Sequence, residues 1–169
     1  MSINKIRIFS IFLSAFVMIF ISVMPIISII NLFCCAGIVI GGLIGVFYMD
    51  HKTKSINYSI SFKDAGIVGA LSGILSGIIL SIITLAITII TRENPIDAGI
   101  KTFEEFGFQL PNEVLNQLQS FSEEYSKYGF SFRIALLNLL GNLIIYPIFG
   151  FLGGILAMSF INKKRQKIV

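Results

Sequence analysis

The chain has 169 residues, 55% of them hydrophobic and only 13% charged, with a mean hydropathy of +0.87. A soluble domain carries about 25% charged residues, so this composition belongs to lipid rather than to water. The formal net charge of +4 does not mark a nucleic-acid surface, because the one dense basic cluster, KKRQK, is short, directly follows an apolar run and has no interleaved aromatics.

Four charge-poor stretches, about 8–30, 32–49, 65–90 and 134–161, can each cross a hydrocarbon core of ~30 Å at ~1.5 Å per residue. They predict an all-α polytopic membrane protein, a bundle of four transmembrane helices forming one domain over 1–169. The opening MSINKIR looks like the basic start of a signal peptide. The apolar run that follows passes 15 residues without a small-x-small cleavage site, so the first helix is expected to stay. Pro25 is expected to bend it. Cys34 and Cys35 are adjacent, which disfavours an unstrained disulfide between them, and His51 lies at the far end of the second helix, out of reach for a shared metal. They read as small packing residues. Asp50 and His51 read as a solvated pair in the loop that follows.

Helix 2 carries Gly37, Gly41 and Gly45, and helix 3 carries Gly69, Gly73 and Gly77, each row spaced by four, with Ser72 and Ser76 beside the second row. Helix 4 has Gly150 and Gly154 at the same spacing. In lipid no hydrophobic force drives helices together, and removing side chains lets two backbones approach. These rows predict flat packing faces within the chain, with an oligomer interface or a pore lining as the alternatives. The phrase GFLGGILAMSFINKKRQ of helix 4 also aligns with GGLIGVFYMDHKTK of helix 2, placing Gly41-Gly42 on Gly153-Gly154, Gly45 on Ala157 and Met49 on Ile161. Either the two hairpins are related halves sharing one orientation, or both carry ordinary stop-transfer composition.

No Asp, Glu, Lys, Arg or His lies in the middle of a span, which argues against a proton-coupled carrier. Among the mild polar residues, Asn138 and Asn142 are one turn apart on helix 4 and read as hydrogen-bonding glue between helices, as do Ser72 and Ser76. Tyr146, beside Pro147, is expected to bond a carbonyl that the proline frees. Between helices 3 and 4, residues 94–130 predict two amphipathic helices. One has Ile96, Ile100, Phe103 and Phe106 on its apolar face, the other Val114, Leu115, Leu118, Phe121 and Tyr125. Asn94 is the expected cap of the first, with Pro95 and Pro111 at the two starts. Their apolar faces are expected to lie on the bilayer surface or the bundle mouth.

Nine of the thirteen basic residues fall before helix 1, between helices 2 and 3, and at the C-terminus; four lie in 91–133. With four spans those three places share one side, and the bias toward Lys and Arg puts both termini in the cytoplasm.

The layout resembles a group of uncharacterised prokaryotic four-span membrane proteins, classed only as a domain of unknown function. They share a basic loop leading into a phrase like SISFKDAGIVGALSGILSG, an acidic amphipathic insert, a fourth helix opening like FRIALLNLL, and a basic tail; NLFCCAGIVIGGLIG is similar to a cysteine-and-glycine phrase in some of them. The resemblance implies a plasma-membrane protein and carries no site. P-loop, GxSxG, HExxH and CxxC signatures are absent, so no catalysis, cofactor or metal is expected. The expected function is structural or interactive, with the lipid bilayer and either a second copy or another membrane protein as partners. The alternative is a channel or facilitative carrier for a small solute, lined by Ser72, Ser76, Asn138 and Asn142.

Overall fold

The computed structural model describes residues 2–24, 35–91, 94–107 and 111–166, and every regular element among them is helical. In chain order these are α1 (Ile3–Val23), α2 (Ala36–Thr53), α3 (Phe62–Thr91), α4 (Pro95–Glu105), α5 (Asn112–Tyr128) and α6 (Phe132–Gln166), with a 3-10 turn, Lys54–Ile56, after α2.

Local chemistry sets the helix ends. Ser61 and Asp64 form a capping box at the start of α3: Ser61 Oγ accepts from the Asp64 amide at 3.2 Å, and Asp64 Oδ2 accepts from the Ser61 amide at 3.1 Å. Asn94 caps α4 by accepting from the Ile96 amide at 3.1 Å. Ser131 opens α6 in the same way, accepting from the Ile134 amide at 3.4 Å. Gly129, at φ 75°, closes α5.

Three helices, α1, α3 and α6, are long and apolar enough to cross a membrane, and the chain is a membrane-embedded helical protein. The first expected span, 8–30, appears as a helix that begins earlier, at Ile3, and runs to Val23. Residues 25–30, with Pro25, lie outside the described residues, as do 32–34 of the second span and Cys34. The described part of that second span is α2, whose last four residues, Asp50 to Thr53, are polar and lower its hydropathy.

The helices form two compact units, Met1–Leu80 with Gly141–Val169, and Ser81–Leu140. In the first unit small polar side chains join the apolar interior while several aromatic ones face outward. Ser10, Ser14, Ser72 and Ser76 are fully buried, whereas Phe12 and Phe16 are 58% and 66% exposed. Exposed aromatics beside buried serines fit a protein whose solvent is hydrocarbon. One cluster packs Ile6, Val46, Met49, Val68, Ala157 and Ile161. A second holds Met18, Ile38 and Tyr146, with Cys35 against its edge.

Met18 is the knob of the glycine-lined interior. It is wholly buried, its Sδ accepts from Ser76 Oγ at 3.3 Å, and it lies against Gly41 and Gly150. A flexible thioether suits a hole walled by backbone from several helices. Met18→Ala is expected to lower stability by about 2 kcal/mol through the cavity it leaves. Thermal unfolding in mild detergent checks this against Phe16→Ala on the exposed face, which is expected to change little.

In the second unit α4 and α5 are pinned together through the α4 cap. Asn94 Nδ2 donates to Ser122 Oγ at 2.8 Å, and Ser122 Oγ donates to Asp97 Oδ1 at 3.0 Å. Tyr125, buried, donates its hydroxyl to the Thr88 carbonyl of α3 at 3.3 Å. The residues expected on the apolar face of α4 differ in their surroundings. Ile96 is buried, but Phe103 is exposed, and Phe106 lies past the end of the helix because Gly107, at φ 75°, turns the chain there.

Candidate functional site

Gly69, Gly73 and Gly77 of α3 lie along the backbone of α6 in antiparallel register, meeting Gly150, Tyr146–Pro147 and Asn142 in steps of four. A Cβ on Gly73 would stand 2.5 Å from the carbonyl carbon of Tyr146, and one on Gly77 would stand 2.9 Å from the Asn142 carbonyl oxygen. Gly154 continues the seam against Ala65. On α2, Gly41 and Gly45 face α1, where a Cβ on Gly45 would lie 2.5 Å from Ser14 Cβ, while a Cβ on Gly42 would lie 2.6 Å from the Gly150 carbonyl oxygen of α6. Gly37 is buried on the same helix.

Backbone approach this close exposes carbonyls to side-chain donors. Ser14 Oγ of α1 donates to the Gly41 carbonyl of α2 at 2.8 Å, a bond between helices that a side chain at position 41 would block. Ser10 and Ser72 turn inward on their own helices, donating to the Ile6 and Val68 carbonyls at 2.8 and 2.6 Å. Ser76 shares its proton among the Ser72 carbonyl, the Gly73 carbonyl and Met18 Sδ. Ser72 and Ser76 bond within the first unit, Asn142 presents its backbone to Gly77, and Asn138 belongs to the second unit, where Ser81 Oγ donates to its Oδ1 at 3.5 Å.

The glycines aligned between helices 2 and 4 do not share packing roles. Gly41 faces α1 whereas Gly153 faces Val39 of α2, and Gly42 faces α6 whereas Gly154 faces α3. Tyr146 also departs from expectation. Its hydroxyl donates to Ser22 Oγ of α1 at 2.7 Å instead of to a carbonyl freed by Pro147, because the ring points across the interface.

One end of the first unit holds a charged arrangement that the sequence pattern did not single out. Asp64, at the start of α3, accepts from Arg7 of α1 at 2.6 Å, from the Tyr58 hydroxyl at 3.1 Å and from Ser61 Oγ at 2.9 Å. The hydrogen bond to Asp64, and then the carboxylate's charge, push the Tyr58 phenol above its ordinary value. Asp50 is not a solvated loop residue. It lies within the last turn of α2, buried, where Oδ1 accepts from Arg165 of α6 at 2.6 Å and Oδ2 pairs with Lys54 at 3.1 Å. The reason is helix length: α2 continues to Thr53, which puts Asp50 on the same buried face as Val46 and Met49 and leaves His51 exposed. The two carboxylates therefore tie α3 to α1 and α2 to α6. A sequence signal existed in Ser61-x-x-Asp64, the capping-box pattern, but nothing local marks Arg7 or Arg165 as the partners.

The second unit contains a cavity of about 130 Å³ lined by Ser81, Thr84, Thr88, Tyr125 and Asn138 among apolar neighbours. A wider groove of about 620 Å³ is bordered by Asn94, Asp97, Lys127 and Tyr128. No family model, curated protein or solved structure matches the chain.

Proposed function

We propose that this is a small four-span protein of a prokaryotic plasma membrane, with both termini cytoplasmic, acting as a structural or interaction protein rather than an enzyme. Its partners are the bilayer and either a second copy of itself or another membrane protein. The observation that carries this reading is the way the interior of the first unit is closed. Its serines are fully buried and spend their protons on helix carbonyls, and its glycines hold backbones in contact. With these serines bonded to carbonyls, the helix flanks present apolar side chains, which must meet lipid or protein.

Two features support four spans. α2 packs on α1 and α6 through Gly41, Gly45 and Gly42, as the membrane-length helices pack on one another. Arg7, Asp50, Asp64 and Arg165 meet in ion pairs, which suits an N-terminus, an α2–α3 connection and a C-terminus on one side. Labelling of single cysteines at positions 2, 57, 116 and 168, in a background lacking Cys34 and Cys35, is expected to reach 116 from outside and the other three from the cytoplasm. Reaction of 116 from the cytoplasm, or of 57 from outside, would overturn the topology.

The functional test is purification in mild detergent with mass measurement, paired with solute flux from liposomes. A defined oligomer or a stoichiometric membrane partner is expected, with flux no greater than in protein-free vesicles. The cavity beside Ser81 and Asn138 favours a second reading, a facilitative carrier. Solute flux that falls on Asn138→Leu would establish that reading instead.

A further inference from the structure

The end of the first unit that carries the Asp50–Arg165 pair also carries a groove of about 420 Å³, walled by Phe47, His51 and Lys54 on one side and Phe160, Lys164 and Arg165 on the other. We propose that this groove binds the phosphate headgroup of an anionic phospholipid of the phosphatidylglycerol kind, with an acyl chain lying along Phe47 and Phe160. The proposal rests on the reading of the chain as an integral membrane protein.

Charge is the first argument. Lys54, Lys164 and Arg165 face a single carboxylate, Asp50, so the lining keeps an excess of positive charge. Basic pockets between membrane helices on the cytoplasmic side are suited to anionic headgroups. The C-terminal carbonyl ends of α2 and α6 are themselves weakly negative, so recognition here must come from the side chains.

Layering is the second. Phe47 lies one turn before Asp50 and His51, and Phe160 one turn before Lys164, which places the aromatics about 5 Å deeper along each helix than the charges. Phe47 is 43% and Phe160 58% exposed. A phospholipid has the same order, phosphate outermost and hydrocarbon beneath it. Preorganisation is the third. Arg165 is held by Asp50 at 2.6 Å and by Ser59 Oγ at 3.0 Å. A guanidinium has five N–H donors, so the group is fixed in place with donors left for phosphate oxygens.

Native mass spectrometry of the full-length protein in mild detergent tests this with phosphatidylglycerol and phosphatidylcholine as probes. Preferential retention of phosphatidylglycerol is expected, reduced about fivefold by Lys164→Gln and about 25-fold by Lys54→Gln with Lys164→Gln. Lys101→Gln, on α4, is expected to leave retention unchanged. Phe160→Ala, away from the ion pairs, is expected to weaken lipid retention without unfolding the protein. Equal retention of the two lipids, or undiminished retention in both the double lysine variant and Phe160→Ala, overturns the proposal. Displacement of the lipid by inorganic phosphate at equal concentration overturns it as well, because the site would then be one for free phosphate. Resistance of the protein to alkaline carbonate extraction reports membrane integration separately, so a protein that resists extraction yet ignores phosphatidylglycerol loses this proposal alone.

Discussion

Gly73→Leu is expected to prevent the first unit from assembling, with a loss of about 3 kcal/mol or more, at the upper end of what overpacking costs. The added Cβ alone would stand 2.5 Å from the Tyr146 carbonyl carbon and 2.6 Å from Pro147 Cα. These are backbone atoms, so no rotamer change can clear them. Nor can α6 retreat locally, because the same seam holds it at Gly150 against Gly69 and at Gly154 against Ala65. Separating the helices at one step separates them at all. The readout is the yield of monodisperse protein in mild detergent together with its thermal midpoint. Ile74→Leu, one residue along the helix and 39% exposed, is the control and is expected to behave as the parent. If the two variants were equally well behaved, the seam between α3 and α6 would not be the contact that holds this unit together.

The seams also show how far the sequence can be read. Glycine spacing on α3 reveals a face, since each residue four places on returns to nearly the same side of a helix. It does not reveal the register of the opposing helix, which depends on where α6 is held by Tyr146, Ser22 and Met18 across the interior. Met18 is one of many apolar residues in a run of them, and nothing in its neighbourhood distinguishes it from Phe16 or Phe20. Its burial becomes intelligible only when the gaps left by glycines on other helices are known. The helix caps, by contrast, are local chemistry, and Asn94 is legible from its place before Pro95.

The charged end was hidden for a different reason. In the sequence Asp50 and Asp64 are two acids in a basic neighbourhood, and their sum with that neighbourhood predicts a side of the membrane. Their individual roles depend on residues 57 and 115 positions away, Arg7 and Arg165. Pairing at that distance follows from the packing order of helices, and no periodicity within one helix records it. The extension of α2 from the expected end at 49 to Thr53, one further helical turn, was enough to turn Asp50 from solvent to interior.

Asp64→Asn is expected to destabilise the protein by about 2 kcal/mol, between the cost of losing a surface pair and that of breaking a buried one, since the Asp64 side chain is only 13% exposed and that of Arg7 31%. The amide can still accept from the Ser61 backbone, so the cap survives in part while the charge is lost. Arg7 is then left without its carboxylate, and its Nε is already buried with no hydrogen-bond partner among the described residues. The guanidinium keeps its partial access to water, but its buried Nε side stays without compensation, and this weakens the hold of α1 on α3. Arg7→Gln removes the charge from the other side, and the double variant should recover part of the summed losses. A coupling of about 1 to 2 kcal/mol between the two positions is expected from thermal or chemical unfolding of the four proteins in mild detergent. Strictly additive losses would mean that the pair contributes no specific energy, and that Asp64 acts through its bonds with Ser61 and Tyr58.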